Sequence, residues 1–180
     1  MKFILSFVSF LIISNTVFAQ NDPNAKKVLD AVGQKVKSFK SLSGNFTIKS
    51  FTSKGKANGV KNGTISMKGN KYVLKQGKTE IICDGANTYS YDGSKTVTVA
   101  PAEDASKSLT PQKILSGSYD KEFYYKLISS KGNFQEIELK PIDTRKNFQK
   151  VTVYIDKAKS IISKAKILDK SNNILEFSFT

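Results

Sequence analysis

Histidine and tryptophan are absent from this chain of 180 residues, and arginine and cysteine occur once each, as Arg145 and Cys83. Without histidine, the chain lacks the commonest general base and the commonest zinc ligand. A single cysteine forms no internal disulfide, and without a neighbouring base its thiol is not activated as a nucleophile. We therefore interpret Cys83 as a small apolar residue of a strand, and we expect no metal site.

The sequence also lacks catalytic motifs. It contains no glycine-rich loop of the kind that binds nucleotide phosphates. Glu136 and Glu138 are separated by one residue, which is typical of the outer face of a strand and not of an acid–base pair. Asp84 and Asp92 flank predicted turns, where aspartate caps the backbone. These observations favour a binding protein without a cofactor over an enzyme.

The charge balance is strongly basic, with 29 lysine and arginine residues, 15 aspartate and glutamate residues and a net charge of +14. A basic surface attracts nucleic acid, anionic lipid headgroups or an acidic partner. The presence of one arginine argues against nucleic acid, since phosphate and base recognition draws on arginine. Two interpretations stay open: a solvated lysine-rich surface, and a site for an electrostatic partner.

The first nineteen residues have the pattern of a signal peptide. A basic start is followed by an apolar run over residues 3–13, which is too short to span a bilayer comfortably, and by Val-Phe-Ala before the cleavage point. We therefore predict a signal peptide over residues 1–19, cleavage after Ala19, export, and a single domain over residues 20–180. An N-terminal anchor that stays attached is the alternative.

Apolar periodicity predicts one long helix followed mostly by strands. Asp22-Pro23 is a helix-start signal, and residues 25–39 place apolar side chains at helical spacing. Apolar and polar residues then alternate in about eleven short segments, and Thr110-Pro111 begins a short helix that reaches Ser116. Because short turns join the strands, we expect a mainly β fold with helices (α+β): one strongly curved antiparallel sheet whose concave face is covered by helices.

Strand alternation also predicts which residues face inward. Thr79–Gly93 is predicted to be a hairpin whose second strand carries two tyrosines on one face. The apolar face of the sheet either packs on the helices as an ordinary core or encloses acyl chains in a cavity. The predicted cavity lining is Phe46, Ile48, Ile65, Met67, Tyr72, Leu74, Tyr89, Tyr91, Val97 and Val99. Ile114 and Leu115 are predicted to lie on the helix that covers it as a lid.

Four segments in this order resemble one known family: LSGNFT (42–47), ISMKGNKYVL (65–74), EIICDGANTYSY (80–91) and LTPQKIL (109–115). The chain resembles the periplasmic outer-membrane lipoprotein carriers, which are LolA-like, and in particular their Bacteroidetes-type members. The resemblance implies an incomplete β-barrel closed by helices, without enzymatic activity. It also implies a periplasmic monomer that takes acylated lipoproteins from an inner-membrane ABC-type release complex to an outer-membrane acceptor.

The chain departs from the family at one position. In the family, an arginine in the turn after the second strand latches the helical lid, and the aligned residue here is Gly69. The lid is then held by packing or by one of the neighbouring lysines. Two other functions stay open: a lipoprotein- or lipid-sensing accessory domain of the envelope on the same fold, and a surface module that binds anionic polysaccharide through its lysines.

Overall fold

The computed structural model describes residues 21–102, 109–117 and 119–180, so that the predicted signal peptide lies outside it. Helix α1 spans Pro23–Ser38 and helix α2 spans Pro111–Leu115. The start of α1 is the predicted one, because the Asp22 carboxylate accepts hydrogen bonds from the N–H groups of Asn24 and Ala25, at 2.8 and 3.5 Å. An oxygen acceptor at this position satisfies N–H groups that have no partner within the helix.

Eleven strands in the described residues form one antiparallel sheet in the order β6-β5-β4-β3-β2-β1-β11-β10-β9-β8-β7. The strands are β1 Leu42–Phe51, β2 Ala57–Lys68, β3 Lys71–Gln76, β4 Thr79–Cys83, β5 Asn87–Tyr91, β6 Val97–Pro101, β7 Phe123–Ser129, β8 Phe134–Pro141, β9 Phe148–Asp156, β10 Ile161–Asp169 and β11 Ile174–Phe179. The contact between β1 and β11 joins two meanders into a single curved sheet. This arrangement confirms the predicted fold class.

The concave face of the sheet carries the core. In an antiparallel sheet, residues directly opposite each other on neighbouring strands point to the same face. One such row runs from Ile48 through Phe177, Ala165 and Val153 to Ile137. Register shifts between β7 and β8, between β9 and β10, and between β1 and β2 add local bends. The sheet therefore curves around a trough that is lined by apolar side chains.

The helices cover this trough, as predicted. Helix α1 contacts β7 and β10 and buries Ala25, Leu29 and Val32, while α2 contacts β10. Burying an aliphatic side chain of valine or leucine size contributes roughly 1.5–3 kcal/mol. Packing on the sheet therefore stabilises a helix whose other face is lysine-rich and exposed.

The outer edge of β7 is closed by the start of the described chain. The N–H of Tyr125 donates to the Asn21 side chain at 3.1 Å, and the carbonyl of Tyr125 accepts from the N–H of Asp22 at 3.2 Å. The N–H of Leu127 donates to Asp22 Oδ2 at 3.0 Å, and that of Phe123 to the carbonyl of Tyr119 at 3.0 Å. The Leu127 and Asn24 hydrogen bonds hold the pKa of Asp22 below its ordinary value.

Strand β2 is longer than the sequence predicts. The residues Ser53–Gly59 are predicted to be a polar turn and the strand to begin at Thr64, but β2 begins at Ala57 and pairs with β1 along most of its length. Residues 57–63 show no apolar alternation, because this part of the strand is largely exposed on both faces. Backbone pairing with β1 forms the strand without burying side chains there.

Two further observations concern the described residues as a whole. None of their helices combines the length and the apolar composition that crossing a membrane requires. Nor do histidine, cysteine, aspartate and glutamate side chains converge there in a group that could hold a metal ion. Cys83 is a buried free cysteine at the end of β4, as its interpretation as an apolar strand residue requires.

Candidate functional site

Six of the ten residues predicted to line a cavity lie on the concave face. Five of them are buried in the core and belong to β1, β2 and β3, namely Phe46, Ile65, Met67, Tyr72 and Leu74, and the sixth, Ile48, is half-buried beside them. Direct pairing explains their common face, since Met67 lies opposite Tyr72 and Ile65 opposite Leu74. The structure therefore brings this group together under the helices.

The other four residues lie on the opposite, convex face, so their prediction as cavity lining is wrong. Tyr89 and Tyr91 are on β5, and Val97 and Val99 on β6. The residue of β5 that pairs with Cys83 on the concave face is Thr88, which turns both tyrosines outward. Alternation shows which residues share a face but not which face is inner, and in β5 the buried residue is polar.

The two residues predicted to lie on the lid are both buried. Ile114 and Leu115 form the end of α2 and have almost no exposed surface. The Tyr119 hydroxyl donates a hydrogen bond to the carbonyl of Ile114, and the Tyr119 ring packs edge-on against Phe123 with 5.7 Å between ring centroids. Burial raises the pKa of Tyr119, which keeps its hydroxyl neutral and able to donate.

An ion pair and a glycine hold α2 in place. Lys113 Nζ lies 2.5 Å from the Glu122 carboxylate, and the Lys113 side chain is largely buried. Directly after α2, Gly117 has φ of +67°, and a Cβ added there would lie 2.9 Å from the backbone nitrogen of Gly33 in α1. Only glycine combines this conformation with this close approach. Helix α2 is therefore attached both to α1 and to the segment before β7.

Gly69, which aligns with the arginine that holds the lid in the family, has no atom close to where a side chain would begin. Gly69 lies in the β2–β3 turn with φ of +57°, and a Cβ added there would meet no atom within 4 Å. The two lysines that flank this turn at positions 68 and 71 form no ion pair or side-chain hydrogen bond within the described residues. Of the two alternatives left open by the sequence, packing holds the lid, together with Lys113 of α2 itself.

An apolar cavity of about 160 Å³ lies where α2 and the end of α1 meet the sheet. Its apolar lining comes from several elements: Val36, Leu42, Ile65, Leu115, Ile161, Ile162 and Phe179. Only Ile65 and Leu115 are among the residues predicted from the sequence. The others lie at or near the ends of helices and strands, and their apolar character is the only sequence signal that could have pointed to them.

A second cavity of about 300 Å³ adjoins the first. Val36 and Leu42 line both, and Phe39 and Met67 line only the second. The second cavity extends toward the β2–β3 turn and the exposed end of α1. The two cavities are therefore neighbours on either side of Val36 and Leu42, and only the first is lined by Leu115 and Ile65.

The buried side chains of the trough are apolar or uncharged, while Lys37 lines the second cavity and Lys61 lies opposite Ile48 in the exposed part of β2. Burial raises the pKa of Tyr72, so that its hydroxyl stays neutral, and the charged residues Asp156 and Lys159 lie where the cavity opens near the β9–β10 turn. The mostly apolar lining of the first cavity favours an apolar ligand over a charged one. It has the properties expected of a site for hydrocarbon chains.

The family model of the outer membrane lipoprotein carrier protein LolA matches residues 37–180. No curated protein matches the sequence. The match covers the whole sheet and α2, and therefore all the residues that line the two cavities except Val36.

Several solved structures share the fold at low sequence identity. The lipoprotein LppX of Mycobacterium tuberculosis is 12% identical, with a TM-score of 0.53 over 89% of this chain and 95% of that one. An uncharacterized conserved protein of Thermus thermophilus is 12% identical, with a TM-score of 0.53 over 87% and 88%. A LolA superfamily protein of Nitrosomonas europaea is 14% identical, with a TM-score of 0.47 over 87% and 91%. The first two likenesses concern the fold alone.

Proposed function

Because the chain belongs to the family of the outer membrane lipoprotein carrier protein LolA, whose members are carrier or binding proteins and not enzymes, we propose that it binds the acyl chains of lipoproteins in its trough. The observation that carries this proposal is the apolar cavity between Leu115 of α2 and Ile65 of β2. The cavity lies at the contact between a short helix and the sheet, where displacement of the helix would enlarge it.

The size of the cavity implies that α2 moves when cargo binds. A dry apolar cavity of roughly 150 Å³ holds a molecule of about the size of benzene. The cavity of about 160 Å³ therefore accepts the end of one acyl chain and not its full length. The remaining volume is the space that Ile114 and Leu115 now occupy.

The energies of this exchange are comparable. Burying two side chains such as Ile114 and Leu115 contributes roughly 3–6 kcal/mol in total. An acyl chain of about fourteen carbons gains on the order of 10 kcal/mol, at ~0.8 kcal/mol per buried methylene. One chain therefore offsets the loss of the α2 contacts, and the lid closes again when the chain leaves.

The description of the family as outer membrane lipoprotein carriers also supports a proposal for the location, partners and direction of transport. We propose that residues 1–19 direct export and are removed after Ala19, leaving residues 20–180 as one periplasmic domain. The domain acts as a monomer, receives acylated lipoproteins from an inner-membrane ABC-type release complex and delivers them to an outer-membrane acceptor. The energy for extraction enters at the release complex.

Binding of a fluorescent tripalmitoylated lipopeptide tests the acyl-chain site. Leu42 is half-buried and lines both cavities, so Leu42→Glu places a charge at both and is expected to weaken binding at least tenfold. Leu42→Trp tests the same site by filling it without adding charge. Val60→Glu is the matched control, since Val60 is an exposed residue of β2 that lines neither cavity.

Thermal unfolding of each variant separates loss of fold from loss of binding. Equal binding by Leu42→Glu, Leu42→Trp and Val60→Glu would contradict the proposed site. The carrier role is tested by lipoprotein release from inner-membrane spheroplasts and by transfer to isolated outer membranes. Binding without release or transfer would contradict the shuttle and would favour the lipid-sensing accessory domain.

A further inference from the structure

Strand β6 forms one edge of the sheet, at which no further strand of the described ranges pairs. Its hydrogen-bonding pattern follows from two flanking bonds, in which Ala102 N–H donates to the Ala86 carbonyl and Asp92 N–H donates to the Thr96 carbonyl. Because bonded and non-bonded pairs alternate in antiparallel strands, even-numbered residues of β6 bond to β5. The backbone groups of Val97 and Val99 therefore point away from the sheet, and no residue in the described ranges bonds to them.

The other edge of the sheet, β7, differs from β6 because its outward backbone groups have hydrogen-bond partners. On β7, the outward backbone groups of Phe123, Tyr125 and Leu127 bond to Tyr119, Asn21 and Asp22. Unpaired strand edges are templates for pairing with another chain, and proteins usually cover them. The chain covers one edge with its own residues 21, 22 and 119, and leaves the other uncovered among the described residues.

Two side chains of β6 are apolar and exposed, as is typical of an interaction surface. Val97 and Val99 are 54% and 57% exposed on the convex face. They continue an apolar row across the sheet, since Val99 lies opposite Tyr89, and Tyr89 opposite Ile82. An added strand would find four backbone groups to bond and an apolar row to extend.

Charge at one end of β6 determines which strand fits. The two turns at this end of the sheet carry Lys78 and Lys95, and they are in contact, since a Cβ added to Gly93 of the β5–β6 turn would lie 2.8 Å from Lys78 Cβ of the β3–β4 turn. Neither lysine forms an ion pair within the described part of the chain. The nearby Asp92 carboxylate is occupied by the N–H groups of its own turn. Because Asp92 stays ionised, the charges of Lys78, Lys95 and Asp92 leave these two turns with a net charge of about +1.

We propose that the β6 edge binds an extended segment of another protein as a twelfth strand, antiparallel to β6 and acidic at its carboxyl end. In this orientation the carboxyl end of the added strand lies at the β5–β6 turn, which carries Lys95 and contacts Lys78 through Gly93. A second copy of this chain is disfavoured as occupant, since each copy carries a net charge of +14. The proposal is independent of the acyl-chain site, which lies on the other face.

Two peptides of identical composition test it. The N-acetylated, C-amidated peptides TVTVTEE and EETVTVT are titrated into the purified protein, and amide hydrogen exchange is followed by NMR. We expect TVTVTEE to bind at least fivefold more tightly than EETVTVT and to slow exchange selectively at Val97 and Val99. Equal affinity of the two peptides, or no slowing at these amides, would overturn the proposal.

Variants of the edge separate backbone pairing from side-chain contact. Val99→Pro removes an outward N–H that the sheet does not use, so that the fold is kept and TVTVTEE binding falls at least tenfold. Val99→Thr keeps the N–H and is expected to retain binding within threefold. Equal loss in both variants would contradict strand addition. A protein dimer that Val99→Pro abolishes in sedimentation would overturn the proposal in favour of self-pairing.

Discussion

Two parts of the same trough are covered to different degrees. Beneath α1, the side chains of β8 and β9 that face the trough, such as Ile137 and Val153, are 0% exposed. On the β3 side, Tyr72 and Leu74 have the same orientation but remain 7% and 8% exposed. The cavities lie toward the second part and reach Ile65 and Met67 of β2.

This difference in burial suggests separate roles: the enclosed part stabilises the fold, and the part that borders the cavities binds the ligand. Ile137 and Val153 are fully enclosed and line neither cavity, and enclosed side chains in a packed interior cannot admit a ligand without breaking contacts. The part around the first cavity is bordered by a helix of five residues, α2, whose Leu115 lines this cavity together with Ile65 of β2. The comparison therefore predicts that equal deletions in the two parts have unequal effects on unfolding and on lipid uptake.

The largest effect is expected in the enclosed part. Ile137→Ala removes three carbons from a fully enclosed site, and we expect a loss of about 4 kcal/mol in the free energy of unfolding. Urea titration followed by circular dichroism measures it. Lipopeptide affinity of the folded fraction should stay within twofold of the unaltered protein, and a tenfold loss would contradict the division into two parts.

The matched deletion beside the cavity should cost less. Ile65→Ala removes the same three carbons, but the site borders an existing cavity and the short helix α2 can settle into it, so we expect a loss of about 2 kcal/mol. The larger cavity should bind the lipopeptide at least as tightly as before. A stability loss equal to that of Ile137→Ala would show that the two parts are packed alike.

A smaller effect is expected where α2 is attached. Glu122→Gln removes the carboxylate that lies 2.5 Å from Lys113 Nζ and 3.7 Å from Lys146 Nζ. We expect a loss of about 1 kcal/mol in unfolding free energy and faster lipopeptide uptake in stopped-flow fluorescence. Glu136→Gln on the convex face is the control. An unchanged uptake rate would contradict the attachment of the lid by this ion pair.

The smallest effect concerns pH. A hydrogen bond from Lys150 at 2.7 Å holds the pKa of Glu138 below its ordinary value of 4.5. Because the folded pKa is below the unfolded one, this pair contributes stability at neutral pH, which is lost as pH falls below 4.5 through the folded pKa. We expect less than about 1 kcal/mol. Urea midpoints between neutral and acidic pH should shift less in Glu138→Gln than in the unaltered protein.

The sequence predicts the elements better than their faces. The Asp22-Pro23 start signal, the strand alternation and the short helix at Pro111 are local patterns, and the structure confirms each. On β5 the buried residue is the polar Thr88 and the exposed face of β6 is apolar, so that hydrophobicity selects the wrong face for Tyr89 and Val97. Local patterns record pairing and periodicity, whereas the choice of face depends on the whole sheet.

The cavity lining was predicted only in part for a similar reason. Val36, Ile162 and Phe179 come from three elements that are distant in sequence, and each lies near the end of its element. No local pattern links them, because their meeting depends on how α1 crosses the sheet. The resemblance to lipoprotein carriers is confirmed by the family match over residues 37–180, while the Bacteroidetes-type assignment stays a prediction.

The two oxygens of the Asp22 carboxylate have one more consequence. One oxygen caps α1, and the other accepts a hydrogen bond from Leu127 at the edge of the sheet. This end of the helix is therefore fixed to the sheet. The far end, near Val36, borders both cavities and has no comparable tether among the described residues. If α1, which spans 16 residues, tilts about its aspartate end, the displacement is largest near Val36, where we propose that a hydrocarbon tail enters.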